Sequence, residues 1–270
     1  MLVELVFWSA IVPDTVKLET RDHLAILTLN RPDSMNAINT QMAEEIAQAC
    51  QQIATDGDIW VVILNAAGDR AFCVGADLKE RQDMSVDQWR AQRPTMLRAF
   101  RALAAVERPM IAVVDGYALG GGCELALACD FIIAGERAQF GLPEARVGIL
   151  PGGGGTQLLP RRVGPAMAKE LMFTGRRIDA SEALRIGLVN RVAPSELVNS
   201  TASDIAQEIL DVSPISARQI KRAVDRGLGV DLWTGWALEE EAYVACLYSN
   251  DRNEGMTAFH EKRPPRFQNR

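Results

Sequence analysis

Residues 60–64, Trp60-Val61-Val62-Ile63-Leu64, are apolar without a break; further apolar strands are read at 110–114, 131–134 and 188–192, the last interrupted by Asn190-Arg191. A strand with one wet face alternates apolar and polar residues, so unbroken runs mark strands buried on both faces. Such strands need cover on two sides. The intervals between them are long enough for helices, and strands alternating with helices predict an α/β fold with parallel pairing. Upstream, 16–20 and 24–29 read as two strands around a turn at Arg21-Asp22-His23, and Arg31-Pro32-Asp33 stops the second. Met42, Ile46, Ala49 and Ile53 repeat at helical spacing, which predicts an amphipathic helix over about 40–54.

Asp179-Ala180-Ser181-Glu182 has the pattern of a capping box, and Gly187 closes the helix that it opens. After about Pro194 the strand pattern ceases, and helices are expected at 196–210, 214–226, 231–248 and 253–262. The chain thus divides into an N-terminal leader (1–15), an α/β core that carries the active site (16–195) and an all-helical C-terminal region (196–270). No low-complexity linker precedes the helical region, so it is expected to dock. In the leader, residues 1–12 are mostly apolar, with Glu4 and no Lys or Arg. That is neither a signal peptide nor a transit peptide, and it is too short to span a bilayer. The expectation is a leader either disordered or packed on a neighbour.

The chain has 270 residues, 48% of them hydrophobic, which is ample for one large domain or a domain with an appendage. A net charge of −6 and the lack of a long basic run remove the generic nucleic-acid footprint. The cysteines (Cys50, Cys73, Cys123, Cys129, Cys246) are odd in number and scattered, without CxxC. They read as buried free thiols in a reducing, cytoplasmic setting, with no disulfide framework and no zinc site. Only His23 and His260 could supply imidazole, and they lie far apart in sequence, so histidine-based metal or triad chemistry has little material.

The chemistry centres on two glutamates 20 residues apart, each beside a glycine-rich turn. Glu124 follows Gly120-Gly121-Gly122-Cys123 and precedes the apolar run Leu125-Ala126-Leu127-Ala128-Cys129; Glu144 closes Phe140-Gly141-Leu142-Pro143-Glu144. An ionised carboxylate buried in such a run is costly without a partner or a task. Two carboxylates in a dry pocket push their pKa values apart and give one acid and one base, the arrangement that adds water across a double bond.

Three glycine clusters accompany them: Cys73-Val74-Gly75-Ala76-Asp77-Leu78-Lys79, Gly120-Gly121-Gly122, and Pro151-Gly152-Gly153-Gly154-Gly155-Thr156. None fits GxxxxGK[ST] or GxGxxG, which weakens nucleotide-fold readings. A helix starting at Gly121 offers free N–H groups and a positive dipole end, and a second N–H from Ala76 could converge there as an oxyanion hole for a thioester. Taken singly, these features have plainer readings. Glycine clusters mark turns, Glu124 can be a solvated helix residue, Glu144 a helix-start charge, Lys79 and Arg81 surface charges, and Phe259 a packing residue.

Their joint order and spacing decides. Phe72-Cys73-Val74-Gly75-Ala76-Asp77-Leu78-Lys79, Gly116-Tyr117-Ala118-Leu119-Gly120-Gly121-Gly122-Cys123-Glu124-Leu125, Gly141-Leu142-Pro143-Glu144 and Pro151-Gly152-Gly153-Gly154-Gly155-Thr156-Gln157 together resemble the enoyl-CoA hydratase/isomerase (crotonase) family. The resemblance runs from about Val16 to Arg266 and includes Asp251-Arg252-Asn253-Glu254-Gly255-Met256 and the segment from Ala258 to Pro265. It implies a spiral of ββα units, a helical C-terminal trimerisation region, self-association as a trimer or dimer of trimers, and an acyl-CoA ligand. It implies no metal or redox cofactor, coenzyme A being part of the substrate. By the same resemblance Ala76 and Gly121 match the oxyanion-hole positions, and Glu124 and Glu144 the two glutamates of the hydratases. Ala37, Asp77, Leu78, Lys79 and Gly120 fall at substrate-binding positions. Lys262 is placed to meet a CoA phosphate and Phe259 to pack near the adenine or acyl channel, in the same or a neighbouring subunit. Val74 stands where alanine is common, and Leu158 where arginine is common.

Both carboxylates being present favours hydration of a trans-2-enoyl-CoA to the 3-hydroxyacyl-CoA. Other reactions of the family, such as enoyl-CoA isomerisation, are the alternative, since its isomerases typically lack one of the two. A narrower likeness, in Ala76-Asp77-Leu78-Lys79-Glu80-Arg81, Gly235-Trp236-Ala237-Leu238-Glu239-Glu240 and Glu261-Lys262-Arg263-Pro264-Pro265-Arg266, is to the methylglutaconyl-CoA hydratase branch, some members of which bind AU-rich RNA. Residues 41–52 contain Glu44 and Glu45 and no lysine, which speaks against an RNA role here. A catalytically silent scaffold is a third reading, and the presence of both glutamates argues against it.

Overall fold

The computed structural model describes residues 14–270. The leader expected over 1–15 lies outside the described residues except at its end. There Thr15 is buried, and Glu45 Oε2 accepts bonds from the N–H groups of Thr15 (2.8 Å) and Val16 (2.9 Å).

The chain opens with β1 (Val16–Arg21) and β2 (Leu24–Leu29), an antiparallel pair around Asp22-His23. Helix α1 (Thr40–Thr55) starts where Asn39 accepts a bond from the Met42 N–H, and it buries Met42, Ala43, Ile46, Ala49, Cys50 and Ile53. Three ββα units follow: β3 (Val61–Ala66), β4 (Ala71–Cys73) with α2 (Leu78–Arg81) and α3 (Val86–Ala104); β5 (Met110–Val114), β6 (Tyr117–Leu119) with α4 (Gly121–Leu127); and β7 (Phe131–Gly135), β8 (Gln139–Gly141) with α5 (Gly155–Val163) and α6 (Pro165–Thr174). After β9 (Ile178–Asp179), α7 (Ala180–Arg185) and β10 (Arg191–Ala193), the chain is helical: α8 (Val198–Leu210), α9 (Pro214–Gly227), α10 (Leu232–Leu247) and α11 (Asn250–Glu261).

The first strand of each unit joins a six-stranded sheet in the order β1-β2-β3-β5-β7-β10, parallel from β2 onward. The short second strands form a separate sheet, β4-β6-β8-β9, with β9 antiparallel to β8. The unbroken apolar runs now have their explanation. In β3 and β5, Val62, Leu64, Met110, Ala112 and Val114 face the main core, while Val61, Ile63, Ile111 and Val113 face Val198, Ala202, Ile205 and Ala206 of α8. Helix α8 is therefore the second cover that those strands require.

Two expectations shift. The strand expected at 188–192 is only Arg191–Ala193, because Leu188 and Val189 are spent in the turn that follows α7. The capping box at 179–182 is half made. Asp179 caps the Glu182 N–H (2.8 Å), but the Glu182 carboxylate turns to Arg176 (2.9 Å).

One buried amide fixes the bend that leads to α1. Asn36, 1% exposed and at φ 53°, accepts from the Arg31 N–H (2.8 Å) and donates to the carbonyls of Ala67 and Ala71 (both 2.9 Å). It sews the 31–38 turn to the ends of β3 and β4, against which Ile38 and Ala76 pair. Replacing it by alanine strands two carbonyls and an amide, each worth about 1–3 kcal/mol when left unpaired in the interior. Asn36→Ala should thus lose about 3 kcal/mol or more in a urea titration; a loss within about 0.5 kcal/mol, the range of an ordinary surface change, would contradict this account.

Candidate active site

The parallel strands of the second sheet end side by side, and their loops build the site. At the end of β6, Gly120 takes φ 54°, ψ −126°, a conformation that side chains disfavour, and its N–H donates to Gly141 O (2.9 Å) at the end of β8. A side chain on Gly120 would begin 3.1 Å from Oε1 of Glu144, so this bare turn is also the surface on which that carboxylate rests. Helix α4 then starts at Gly121.

Beside it runs the segment after β4. Ile38 bonds both neighbours of Ala76: its N–H donates to Gly75 O (2.7 Å) and its carbonyl accepts from the Asp77 N–H (2.9 Å). In a parallel bridge of this kind the intervening N–H, that of Ala76, points to the side not taken by Ile38. The backbone here is within touching distance of α4, since a Cβ on Gly75 would lie 3.0 Å from the Gly121 nitrogen. The segment that carries Ala76 is thereby set beside Gly121.

Glu124 lies in the first turn of α4 and is 2% exposed. Its Oε1 accepts two short bonds, from the N–H groups of Gly153 and Gly155, both 2.7 Å. These donors belong to the third glycine cluster, whose last glycine begins α5. Burial pushes the Glu124 carboxyl above its ordinary range; the Gly153–Gly155 N–H bonds and the Arg93 charge oppose the rise.

Glu144 sits in a 3-10 turn, Pro143–Val147, directly after β8. Burial and then the charge of Glu124 raise its pKa to about 7, opposed by its own backbone N–H. Its Oε2 is buried and has no hydrogen-bond partner among the described residues. The two carboxylates differ in kind: one is held by donors, the other has an orphaned oxygen and a pKa raised to about 7.

The other sequence-predicted residues fall into two groups. Asp77 caps α2 through the Lys79 and Glu80 N–H groups (3.0 and 3.4 Å) and pairs with Arg31 (2.9 Å). Burial raises its carboxyl, but the Arg31 bond and the two N–H bonds outweigh this and leave it below the usual range. Arg31 also donates to the carbonyl of Ala37, so one guanidinium clamps the two segments flanking the Ile38–Ala76 bridge. Leu78, 69% exposed, and Lys79 extend outward from α2. Phe259 and Lys262 are both exposed on α11, where Lys262 is the left-handed C-cap. No hydrogen bond or ion pair within the described residues ties either to the glutamates.

Sequence reasoning marked the third glycine cluster without seeing that it feeds Glu124, and it did not mark Arg31, Asn36 or Arg93. The one available signal was the cluster itself, whose four consecutive glycines at 152–155 exceed what a single turn needs. Among the described residues no group of three or more His, Cys, Asp or Glu side chains is placed to hold a metal ion, and no helix is long and apolar enough to cross a membrane.

Comparison with known proteins bears on this geometry. Residues 19–270 match the model of the family described as enoyl-CoA hydratase/isomerase. The chain is 45% identical to the short-chain-enoyl-CoA hydratase of Clostridium acetobutylicum, over 93% of this chain and 96% of that one. It is 42% identical to the crotonyl-CoA hydratase of Syntrophomonas wolfei, over 94% and 98% of the two. The crystal structure of an enoyl-CoA hydratase from Bacillus anthracis superposes with a TM-score of 0.93 at 42% identity, covering 95% of this chain and all of that one. By sequence and by fold, this chain belongs to the enoyl-CoA hydratase/isomerase, or crotonase, family.

Proposed function

We propose that the protein is an enoyl-CoA hydratase, adding water across the 2,3 double bond of a trans-2-enoyl-CoA to give the 3-hydroxyacyl-CoA. The observation that carries this reading is the unlike pair of carboxylates. Glu124, bonded twice by backbone N–H and near Arg93, has groups that favour its ionised form against the rise that burial causes. Glu144, with a pKa of about 7, is suited to keep a proton. The names of the relatives support the same reaction.

The steps follow from these states. The thioester oxygen accepts the N–H groups of Ala76 and Gly121, where negative charge grows as an enolate forms. Glu124 accepts a proton from a water as its oxygen bonds to the β-carbon. Glu144 gives its proton to the α-carbon, so the elements of one water are added in all. A proton passed from Glu124 to Glu144, directly or through solvent, restores the start. No metal or redox cofactor takes part, and coenzyme A is the handle whose binding energy orients the acyl group. Asp77 and Gly120 shape the backbone around the thioester, while Leu78 and Lys79 border the path to it.

The helical region from 196 onward serves assembly in this reading. Helix α10 buries only Ala242 within the chain and exposes Trp233, Trp236 and Tyr243, while α9 exposes Ile220 and Val224. Such faces suit burial between copies in a closed trimer or dimer of trimers, which would also carry Phe259 and Lys262 towards a bound CoA. The setting is taken as cytoplasmic. No observation favours a nucleic-acid role: α1 exposes Glu44, Gln48, Gln51 and Gln52.

Glu124→Gln and Glu144→Gln should each keep the fold and lower turnover of crotonyl-CoA by ~10²–10⁴-fold, read as slower loss of the conjugated thioester absorbance. If both single variants hydrate at near the parental rate, the two-carboxylate mechanism is wrong.

The pH dependence has a definite sign. The Glu144 pKa is raised, so its acid form is present below about 7 and is lost as pH rises through that value. The kcat/KM for hydration should therefore fall on the alkaline side of about 7, and a profile that still climbs through pH 9 would remove Glu144 as the proton donor.

Truncation after Gly229 spares both glutamates, Ala76 and Gly121. Light scattering should then show loss of the trimer or dimer of trimers, together with loss of most of the activity; a truncated monomer of normal rate would show that the tail has no part in the site.

A further inference from the structure

Helix α3 turns Gln92, Met96, Ala99, Phe100 and Leu103 inward, and only the first of these is polar. Gln92 is 9% exposed. A polar side chain on a buried face is costly unless it is bonded, and this one is bonded in full. Its Nε2 donates to Thr40 Oγ1 and to Glu80 Oε2, both at 2.8 Å, and its Oε1 accepts from Arg81 Nε at 3.0 Å. The orientation of the amide is forced, since an ionised carboxylate only accepts and a guanidinium only donates. Glu80 completes the junction by taking the Thr40 N–H with both oxygens, each at 3.1 Å. One amide thus joins three helices: α1 at its first residue, α2 at its last two, and α3 itself.

This junction adjoins the bridge that aims the Ala76 N–H. Thr40 follows Ile38 closely and Glu80 lies one turn after Ala76, and Ile38 and Ala76 are the bridged residues. On one side the bridge is clamped by Arg31, through Ala37 O and Asp77. On the other side the Gln92 junction closes it. Helix α2 is a single turn, Leu78–Arg81, and a single turn has no stability of its own. Its place is therefore set by what ties it down: the Asp77 cap, the Gln92 junction, and the contact of Arg81 with the Trp89 ring of α3, 4.8 Å from its centroid. Without the amide, α2 and the start of α1 are free to part, and the peptide plane of Ala76 turns with them. A hydrogen bond weakens steeply as it leaves linearity, so a small turn is enough to spoil the donor.

We infer that Gln92 is a positioning residue for the oxyanion hole: by locking α2 to α1 it holds the Ala76 N–H on the thioester oxygen. It acts through the backbone rather than on the substrate. This rests on the reading of Ala76 as an oxyanion donor in a hydratase, and it deepens that reading. The chemistry of the junction specifies an amide. Glutamate at 92 would set a second carboxylate against Glu80, and leucine would leave Thr40, Glu80 and Arg81 without their shared partner.

The test reads the donor directly. 4-Dimethylaminocinnamoyl-CoA is an enoyl thioester whose absorbance moves to the red as its carbonyl is polarised, and the parent should shift it on binding. Gln92→Leu should shrink that red shift. It should also lower kcat for crotonyl-CoA by about 10-fold, a part of the ~10²–10³-fold that loss of an oxyanion donor costs, with KM changed little. Glu80→Gln keeps the size and removes the charge; it should show both effects to a smaller degree, and it carries the test if the leucine variant does not fold. Leu103→Ala, on the same buried face but outside the junction, should lower the melting temperature and leave the red shift at the parental value. A folded Gln92→Leu protein with the parental red shift and kcat overturns the proposal. So does an equal loss of red shift in Leu103→Ala, which would mean general loosening of α3. A parent that hydrates crotonyl-CoA without shifting the probe would bring down the oxyanion role of Ala76 and this proposal with it; a parent that does neither would bring down the hydratase reading itself.

Discussion

Two hydrogen bonds hold the site in its working form: those from the Gly153 and Gly155 N–H groups to Oε1 of Glu124. A carboxylate that is 2% exposed needs such donors to be ionised. Their requirement fixes much around them. Side chains on Gly153 and Gly155 would begin 2.8 and 3.0 Å from the Glu124 oxygens, so the loop can come this close only because it is bare. The same bonds set the N-terminus of α5 against the first turn of α4. At the far ends of these helices, Arg162 of α5 donates to the carbonyls of Cys129 and Leu127, which follow and close α4. Helix α4 is thus clamped at both ends by one partner helix.

The difference between the glutamates follows from where each enters the backbone. Glu124 sits on a helix facing a loop of N–H donors. Glu144 follows Pro143, in a turn whose side chain meets Gly120, which has no side chain to offer a bond, and Oε2 is left without a partner. Desolvation acts on both; at Glu144 only its own backbone N–H opposes it, while Glu124 has the Gly153 and Gly155 N–H groups and the Arg93 charge. Two carboxylates brought together without this asymmetry would share a proton ambiguously. With it, the proposed roles of base and acid have a basis in the fold, and the Arg93 charge favours the ionised form of Glu124.

Much of this was legible in the residues. The apolar run at 110–114 is β5 to the residue, and the 4-3-4 spacing from Met42 to Ile53 is α1 to within a residue at its C-terminal end. These elements bury whole faces, so burial writes itself into their pattern. The second sheet was not legible: β4, β6, β8 and β9 have three, three, three and two residues, too few to show a period of two. Helix α3 hides for another reason, since it carries Pro94 and a mostly polar sequence and turns only Gln92, Met96, Ala99, Phe100 and Leu103 inward. The catalytic candidates were found from glycine turns and a family likeness. What holds them, the Gly153 and Gly155 amides and the Arg31 clamp, are contacts across about 30 to 46 residues that no local pattern encodes.

The central claim is that the chain itself sets Glu124 and Glu144 in opposite protonation states near neutrality. A carbon-13 NMR titration of glutamate side-chain carboxyls, assigned with Glu124→Gln and Glu144→Gln, reads this directly in the substrate-free protein. The account predicts that the Glu144 signal titrates at about 7, while Glu124 loses its proton at lower pH. Both signals titrating together in the ordinary carboxylate range near 4.5, or Glu124 holding its proton longer than Glu144, would contradict it.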